Sequence, residues 1–200
     1  MLPILVCCNT DKNVSVLDAS IRSYAPSCQL LCYGFFGSTF GESYNNAMDE
    51  AFLSFDEVII ANDDVVLTPS TMDDFMNDIQ ILKNFHADKV CMVGVYSNEI
   101  RAIQNIRYNE RILRPLERIS PIFAYISKSA YLAAKFPPLN WYSDDVICED
   151  LIAQGFVNYV SKAYVHHVGS ATIGHDYAAL NAAAMPWLTE NRPHYLSKWF

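Results

Sequence analysis

Two pairs of adjacent aspartates are the residues of this sequence best suited to chemistry. The first, Asp63-Asp64, follows Asn62 directly after the β-forming run Val58-Ile59-Ile60-Ala61. Two carboxylates at such a place suit a hard divalent cation, because Mg2+ or Mn2+ takes one or two carboxylates while substrate phosphate oxygens complete its shell. An ion held there neutralises a diphosphate and stabilises it as a leaving group. The second pair, Asp144-Asp145, follows Trp141-Tyr142-Ser143 and precedes Glu149-Asp150. One of its carboxylates can act as a general base toward an attacking hydroxyl. The plainer alternative is an acid-rich first helical turn, favoured by the helix dipole. Asp145 and Glu149 stand four residues apart, on one face of such a helix. Trp141 and Tyr142, with Pro137-Pro138, form an aromatic and apolar wall beside the pair. A third candidate is His166-His167 at the end of a β-like run. Either imidazole can ligate a borderline metal, and strand alternation turns one inward and one outward.

These residues need elements to position them. Leu2 to Cys8 is a continuous apolar run of the kind found in buried parallel strands. Val14, Leu17, Ile21 and Tyr24 then recur at helical spacing up to Pro26. Cys28–Tyr33 reads as a second strand, and Tyr44, Ala47, Met48, Ala51, Phe52 and Phe55 as one face of a second helix. Val58–Ala61 is the third strand. Thr68-Pro69, or a capping box of Ser70 with Asp73, opens a third helix whose buried stripe is Met72, Phe75, Met76, Ile79, Leu82 and Phe85. Lys89–Val95 is the fourth strand. Alternation at this spacing predicts an α/β, mostly parallel sheet with right-handed crossovers and helices on both faces. Ligands of such sheets bind at the carboxyl ends of the strands, where Asn62, Asp63 and Asp64 stand.

Beyond Val95 the alternation stops. A polar stretch carrying Arg101, Arg107, Arg111, Arg114 and Arg118 leads to a strand at Ile122–Ile126 and a short helix ended by Pro137-Pro138. The acidic segment, the run up to His167 and a helix broken by Pro186 complete the chain. One domain over 1–200, with a second half built differently from the first, is the simplest description.

Composition removes several classes of function. The chain has 200 residues, 52% of them hydrophobic and 18% charged, enough to bury a real core. Its net charge of −8 excludes broad contact with nucleic-acid backbones. No Lys or Arg lies between Arg22 and Lys83, a gap that holds ten acidic residues. Exposed helix positions account for most of these but least well for Asp63 and Asp64. No apolar run approaches the roughly 18 residues of a membrane span, and the N-terminus reads as a core strand rather than a signal peptide. The six cysteines contain no C-x-x-C pair and read as free thiols of a reducing, cytoplasmic protein. G-x-S-x-G, G-x-G-x-x-G, Walker A and H-E-x-x-H motifs are all absent.

In order and spacing, the motifs resemble those of GT-A fold glycosyltransferases of the family-2 type, across nearly the whole chain. Asn9, with Thr10 and Asp11, stands where that family ends its first strand. Asn45, Ala47 and Ala51 keep the spacing of its N-x-G-x-x-x-A helix, with Ala for Gly. Asn62-Asp63-Asp64 resembles its D-x-D motif, Asp144-Asp145 its acidic catalytic pair, and His167-Val168-Gly169-Ser170 its H-x-G-S ending. The final Tyr195–Phe200 segment is similar to one that closes such domains.

The resemblance implies a Rossmann-like GT-A domain with a nucleotide-sugar half (1–95) and an acceptor half (96–200), compact enough to be a module of a longer polypeptide. It implies transfer of a hexosyl group from a UDP-sugar to the hydroxyl of a growing glycan, with inversion. Asp145, or Asp144, would be the base. Asp64, Asp63 and His167 would hold Mn2+ or Mg2+, with Asp64 the favoured ligand. Asn9, Thr10, Asp11, Tyr33, Asn45, Asn62 and Asp63 would contact the donor. Trp141, Tyr142, Arg114 and Arg118 would contact the acceptor. The second strand ends without the acid that many relatives use for the nucleoside, leaving Tyr33 to stack on the base. Such modules occur in bacterial surface-polysaccharide enzymes and in large DNA viruses, so the resemblance implies a soluble cytoplasmic module, in the host cytoplasm if viral. Two alternatives differ in class: an inactive sugar- or nucleotide-binding module of the same fold, and a metal-dependent nucleotidyltransferase. The latter calls for a glycine-rich basic first loop, and Cys7–Ser15 contains neither Gly nor Arg.

Overall fold

Along the central strands successive side chains enter two different cores. Ile4, Val6, Ile59, Ala61, Phe123 and Tyr125 face one, while Leu5, Cys7, Val58, Ile60, Ala124 and Ile126 face the other. Both faces of the sheet are therefore covered, which is why these strands read as unbroken apolar runs. A computed structural model describes residues 2–8, 11–35, 39–169 and 176–199.

The strands are β1 (Pro3–Cys8), β2 (Gln29–Gly34), β3 (Glu57–Ala61), β4 (Val65–Leu67), β5 (Val90–Ser97), β6 (Arg114–Pro115), β7 (Phe123–Ser127) and β8 (Val157–His167). Their order is β2-β1-β3-β7-β5-β8-β4, with β6 paired to β8. Strands β2, β1 and β3 are mutually parallel, and β5 runs parallel to β8. The helices are α1 (Asp11–Tyr24), α2 (Phe40–Ala51), α3 (Thr71–His86), α4 (Lys128–Ala133), α5 (Ser143–Ile152), α6 (Tyr177–Asn191) and α7 (Pro193–Trp199). α1 and α3 pack on the first core, and α2, α4 and α5 on the second. A third cluster, Leu139, Val146, Ala184, Leu188 and Tyr195, seats α6 and α7 against α5. The mostly parallel α/β sheet flanked by helices is as the sequence predicts.

Several local expectations change. In α3 the buried stripe is narrower than the helical spacing suggests, because Met76 and Phe85 point to solvent, Phe85 at 79% exposure. β7 inserts antiparallel between β3 and β5, so the fourth predicted strand does not lie beside the third. Hydrophobic periodicity tells which face a residue uses but not which strand it pairs with. The capping box forms at α2 instead of α3: the Thr39 hydroxyl accepts from Glu42 N and Glu42 Oε2 accepts from Thr39 N. At α3, Thr71 Oγ1 accepts from Thr68 N and donates to the Tyr164 carbonyl at 2.6 Å, tying the helix start to β8. α6 runs through Pro186 without breaking.

One close approach matters for the site. A Cβ on Gly41 would lie 1.8 Å from the Pro137 carbonyl oxygen, so only glycine lets α2 dock on the 137–140 segment. Phe40 N donates to Asn140 Oδ1 at 2.8 Å and Ser143 Oγ to the Pro137 carbonyl at 2.9 Å, which fixes where α5 begins.

Candidate active site

Asn62, Asp63 and Asp64 form the turn between β3 and β4, at the carboxyl end of β3. Because β4 runs back along β8 with Val65 opposite His167, the turn brings Asp64 against that histidine. His167 Nε2 lies 3.0 Å from Asp64 Oδ1, and both side chains are buried. The other ring nitrogen, Nδ1, lies 2.5 Å from the Glu99 carbonyl oxygen. A carbonyl only accepts, which assigns the proton to Nδ1. In the neutral ring Nε2 therefore turns a lone pair toward a carboxylate, and it makes no hydrogen bond of good geometry. A proton or a cation resolves this meeting of two acceptors. Burial opposes the imidazolium, but Asp64 and the Glu99 carbonyl outweigh it and raise the His167 pKa. Burial and the Asp64 charge also hold the Asp63 carboxyl above its usual range, against a hydrogen bond from Asn13.

This orphaned nitrogen beside a carboxylate fits a divalent ion such as Mn2+. Among the described residues no group of three or more His, Cys, Asp and Glu converges as a metal cage. Asp64 and His167 would leave the other positions to substrate oxygens and water, the usual arrangement for an ion that travels with phosphates.

The second aspartate pair opens α5, whose N-cap Tyr142 is held in the left-handed region at φ 67°. Its surroundings are cationic. Arg101 Nη1 donates to Asp145 Oδ1 at 2.6 Å, and Nη2 to Asp145 Oδ2 at 3.1 Å and to Asp144 Oδ2 at 3.2 Å. Arg118 Nη1 approaches Asp145 Oδ1 to 3.7 Å. The Asp145 side chain is 6% exposed and doubly gripped; that of Asp144 is 20% exposed and has one contact. Burial and the neighbouring Asp145 push the Asp144 carboxyl up to about 7, against the lowering effect of Arg101. Such a carboxyl can shed and take up a proton near neutral pH.

Residues 98–101, which leave the carboxyl end of β5, join the two pairs. Asn98 Nδ2 donates to the His167 carbonyl at 2.9 Å and Asn98 Oδ1 accepts from His167 N at 2.8 Å. The Glu99 carbonyl orients the imidazole, and Arg101 clamps Asp144 and Asp145. One short loop thus positions both ends of the candidate site. Nothing local in the sequence marks Asn98 or Glu99, and Arg101 stands out there only as the first of an arginine-rich stretch. Arg101 lies 43 and 44 residues from its partners.

The remaining candidates divide. Asn9 and Thr10 lie outside the described residues; Asp11 opens α1, and its side chain is not described. Tyr33 is half-buried at the end of β2 against the second core. Asn62 is half-buried, with its N–H on the Ile122 carbonyl. Asn45 grips the chain itself: Nδ2 donates to the Phe136 carbonyl at 2.8 Å and Oδ1 accepts from Phe136 N at 3.1 Å. Its amide clamps α2 to the segment that leads into α5. Arg114 holds the preceding loop through the Ile103 carbonyl and Asn109 Oδ1. Arg118, in contrast, faces Asp145. Tyr142 stacks on Trp199, and Trp141 meets Tyr177 at 5.6 Å between ring centroids. Glu149 and Asp150 fasten the C-terminal helices: Glu149 takes Lys198 and Trp199 Nε1, and Asp150 takes Arg192 and the Tyr195 hydroxyl.

No protein-family model and no curated protein sequence matches the chain. Solved structures do. S. aureus TarS residues 1–349 in complex with UDP-GlcNAc superposes with a TM-score of 0.58 at 12% identity, covering 94% of this chain and 67% of that one. A197 from STIV superposes with a TM-score of 0.56 at 13% identity, covering 80% and 81%. The chain has the GT-A fold. It spans 39% of the longer S. aureus TarS chain, again with a TM-score of 0.58. TarS 1–349 has also been solved in complex with UDP, with a TM-score of 0.54 to this chain.

Proposed function

We propose that this GT-A chain is a metal-dependent glycosyltransferase that moves a hexosyl group from a UDP-sugar to an acceptor hydroxyl with inversion. The observation that carries the reading is the loop 98–101. It couples a carboxylate–imidazole pair at the strand ends to an arginine-clamped aspartate pair at the start of α5. A diphosphate leaving group and an attacking hydroxyl need those two functions side by side. The GT-A likeness to a TarS structure holding UDP-GlcNAc supports UDP as the nucleotide.

Asp64 and His167 would hold Mn2+ or Mg2+, which when bound neutralises the departing diphosphate. Half-buried Asn62 and Tyr33 would line the donor side. Asp144, with the freer carboxylate of its pair, takes the acceptor proton, while Asp145 anchors Arg101 and keeps a positive charge beside the reacting oxygens. Arg118 and Trp141 would border the acceptor. Among the described residues no helix is long and apolar enough to cross a membrane. The absence of any C-x-x-C pair among the six cysteines of the sequence supports a reducing compartment, the cytoplasm.

Thermal unfolding with a panel of nucleoside diphosphates and UDP-sugars, with and without Mn2+, tests this. UDP with Mn2+ at a hundredfold excess over its Kd is expected to raise Tm by roughly 5–10 °C. UDP without metal should do much less. Absence of any shift with every nucleotide at millimolar ligand and metal would overturn the reading.

A further inference from the structure

Five arginines fall between Arg101 and Arg118, and four are engaged with the protein itself. Arg101 clamps the aspartate pair, Arg107 reaches Glu99 Oε1 at 2.5 Å, Arg114 holds the Ile103 carbonyl, and Arg118 lies between Asp145 and the Trp199 ring. Arg111 differs. It is exposed, and its guanidinium carbon lies 5.8 Å from the centroid of the Tyr164 ring. Among the described residues it has no carboxylate partner. Arg114 also lacks a carboxylate, but a carbonyl and an amide oxygen hold its guanidinium, whereas Arg111 meets only the Tyr164 ring among the described residues.

Arg111 and Tyr164, with Ile106 and Asn109, line an open groove of about 440 Å3. That volume lies within the roughly 300–1,000 Å3 of small-molecule sites. The wall is firmly built, because Asn109 Nδ2 donates to the Ala102 carbonyl at 2.6 Å and Oδ1 accepts from Arg114 at 3.1 Å. Exposed His166 stands at the rim with Nδ1 3.4 Å from the Tyr164 hydroxyl. The same hydroxyl lies 3.5 Å from Asn98 Oδ1, the atom that accepts from His167 N. The groove therefore adjoins the candidate active site through Asn98.

We infer that this groove is an acceptor subsite for an acidic sugar unit, held by its carboxylate or phosphate on Arg111 and by its ring on Tyr164. The guanidinium fork matches the oxygen pairs of both anions. Tyr164 and Ile106 offer an apolar surface to the C–H face of a sugar ring. An acidic unit gains a charge-assisted hydrogen bond on Arg111 that a neutral sugar does not, and that difference favours the acidic one. Binding at this remove from the reacting hydroxyl would raise kcat/KM for longer acceptors. The class of ligand rests on the glycosyltransferase reading, so the test runs without nucleotide or metal.

Calorimetric titrations with an oligogalacturonate, a glycerol-phosphate oligomer and a neutral glucan oligomer of equal length probe the groove. Wild type should bind at least one acidic oligomer and not the neutral one, and which acid binds separates carboxylate from phosphate. Arg111→Gln should weaken that binding about tenfold or more. Arg22→Gln, which removes the same charge from exposed α1, should leave it unchanged. Failure of both acidic oligomers, equal binding of the neutral one, or unchanged binding by Arg111→Gln would each overturn the subsite. A wild-type protein that binds an acidic oligomer but shows no UDP-dependent thermal shift would retain the groove and lose the glycosyltransferase reading. The reverse pattern would remove the subsite alone.

Discussion

The two aspartate pairs have the same composition and opposite company. Asp63 and Asp64 meet one imidazole and a neighbouring amide, and Asp63 is held above its usual pKa by burial and by Asp64. Asp144 and Asp145 meet two guanidiniums, one of them in a bidentate grip on Asp145. The protein thus neutralises its second pair itself and leaves the first short of positive charge. A site short of positive charge at strand ends is prepared for a cation that arrives with a ligand. At the second pair burial and Asp145 raise the Asp144 carboxyl to about 7 despite Arg101, and a carboxyl so placed can move a proton.

The largest effect should come from unbalancing the neutralised pair. Arg101→Ala leaves Asp145, 6% exposed, with only the longer contact to Arg118. Removing one partner of a buried ion pair costs about 3–5 kcal/mol, roughly 10 °C of Tm for a chain of this size. Adding Asp145→Asn to Arg101→Ala should recover part of that loss. Asp63→Asn at the other pair should be neutral or stabilising at pH 7, because it removes a carboxylate whose ionisation the fold resists. Equal losses at both pairs, read by denaturant or thermal unfolding, would erase the distinction.

A smaller effect concerns pH. Asp144 must be ionised to accept a proton, and its carboxyl is pushed up to about 7. Transfer, followed as kcat/KM, should therefore fall about tenfold per pH unit below that value. Arg101→Gln, which removes a charge that lowers this pKa, should move the limb to higher pH. The sign for stability is the opposite. A proton bound more tightly in the folded chain than in the unfolded one stabilises the fold fully below pH about 4. That contribution is lost as pH rises through about 7. An acidic limb near pH 4 would show that Asp144 is not the titrating base.

Much of this arrangement was legible in the sequence, for local reasons. The apolar run Val58–Ala61 announces a strand end, and the strand-end position of Asp63-Asp64 follows. Alternation in β8 turns one of two histidines inward, and His167 is the buried one while His166 is exposed. What stayed hidden is long-range pairing. Arg101 finds Asp145 across 44 residues, and Asn45 grips Phe136 across 91. β7 enters the sheet centre between strands that precede it in the chain. Side-chain types and periodicity specify what a residue can do and which face it uses. Only the folded chain specifies its partner, and for Asn45 that partner is the Phe136 backbone.

The division of labour between the pairs is tested most directly by calorimetric titration of UDP with Mn2+ into wild type, Asp64→Ala and Asp144→Asn. Asp64→Ala should lose the metal-dependent part of UDP binding. Asp144→Asn should bind UDP and Mn2+ as wild type does while transferring no sugar. Loss of UDP binding in Asp144→Asn, or undiminished metal-dependent binding in Asp64→Ala, would contradict the account.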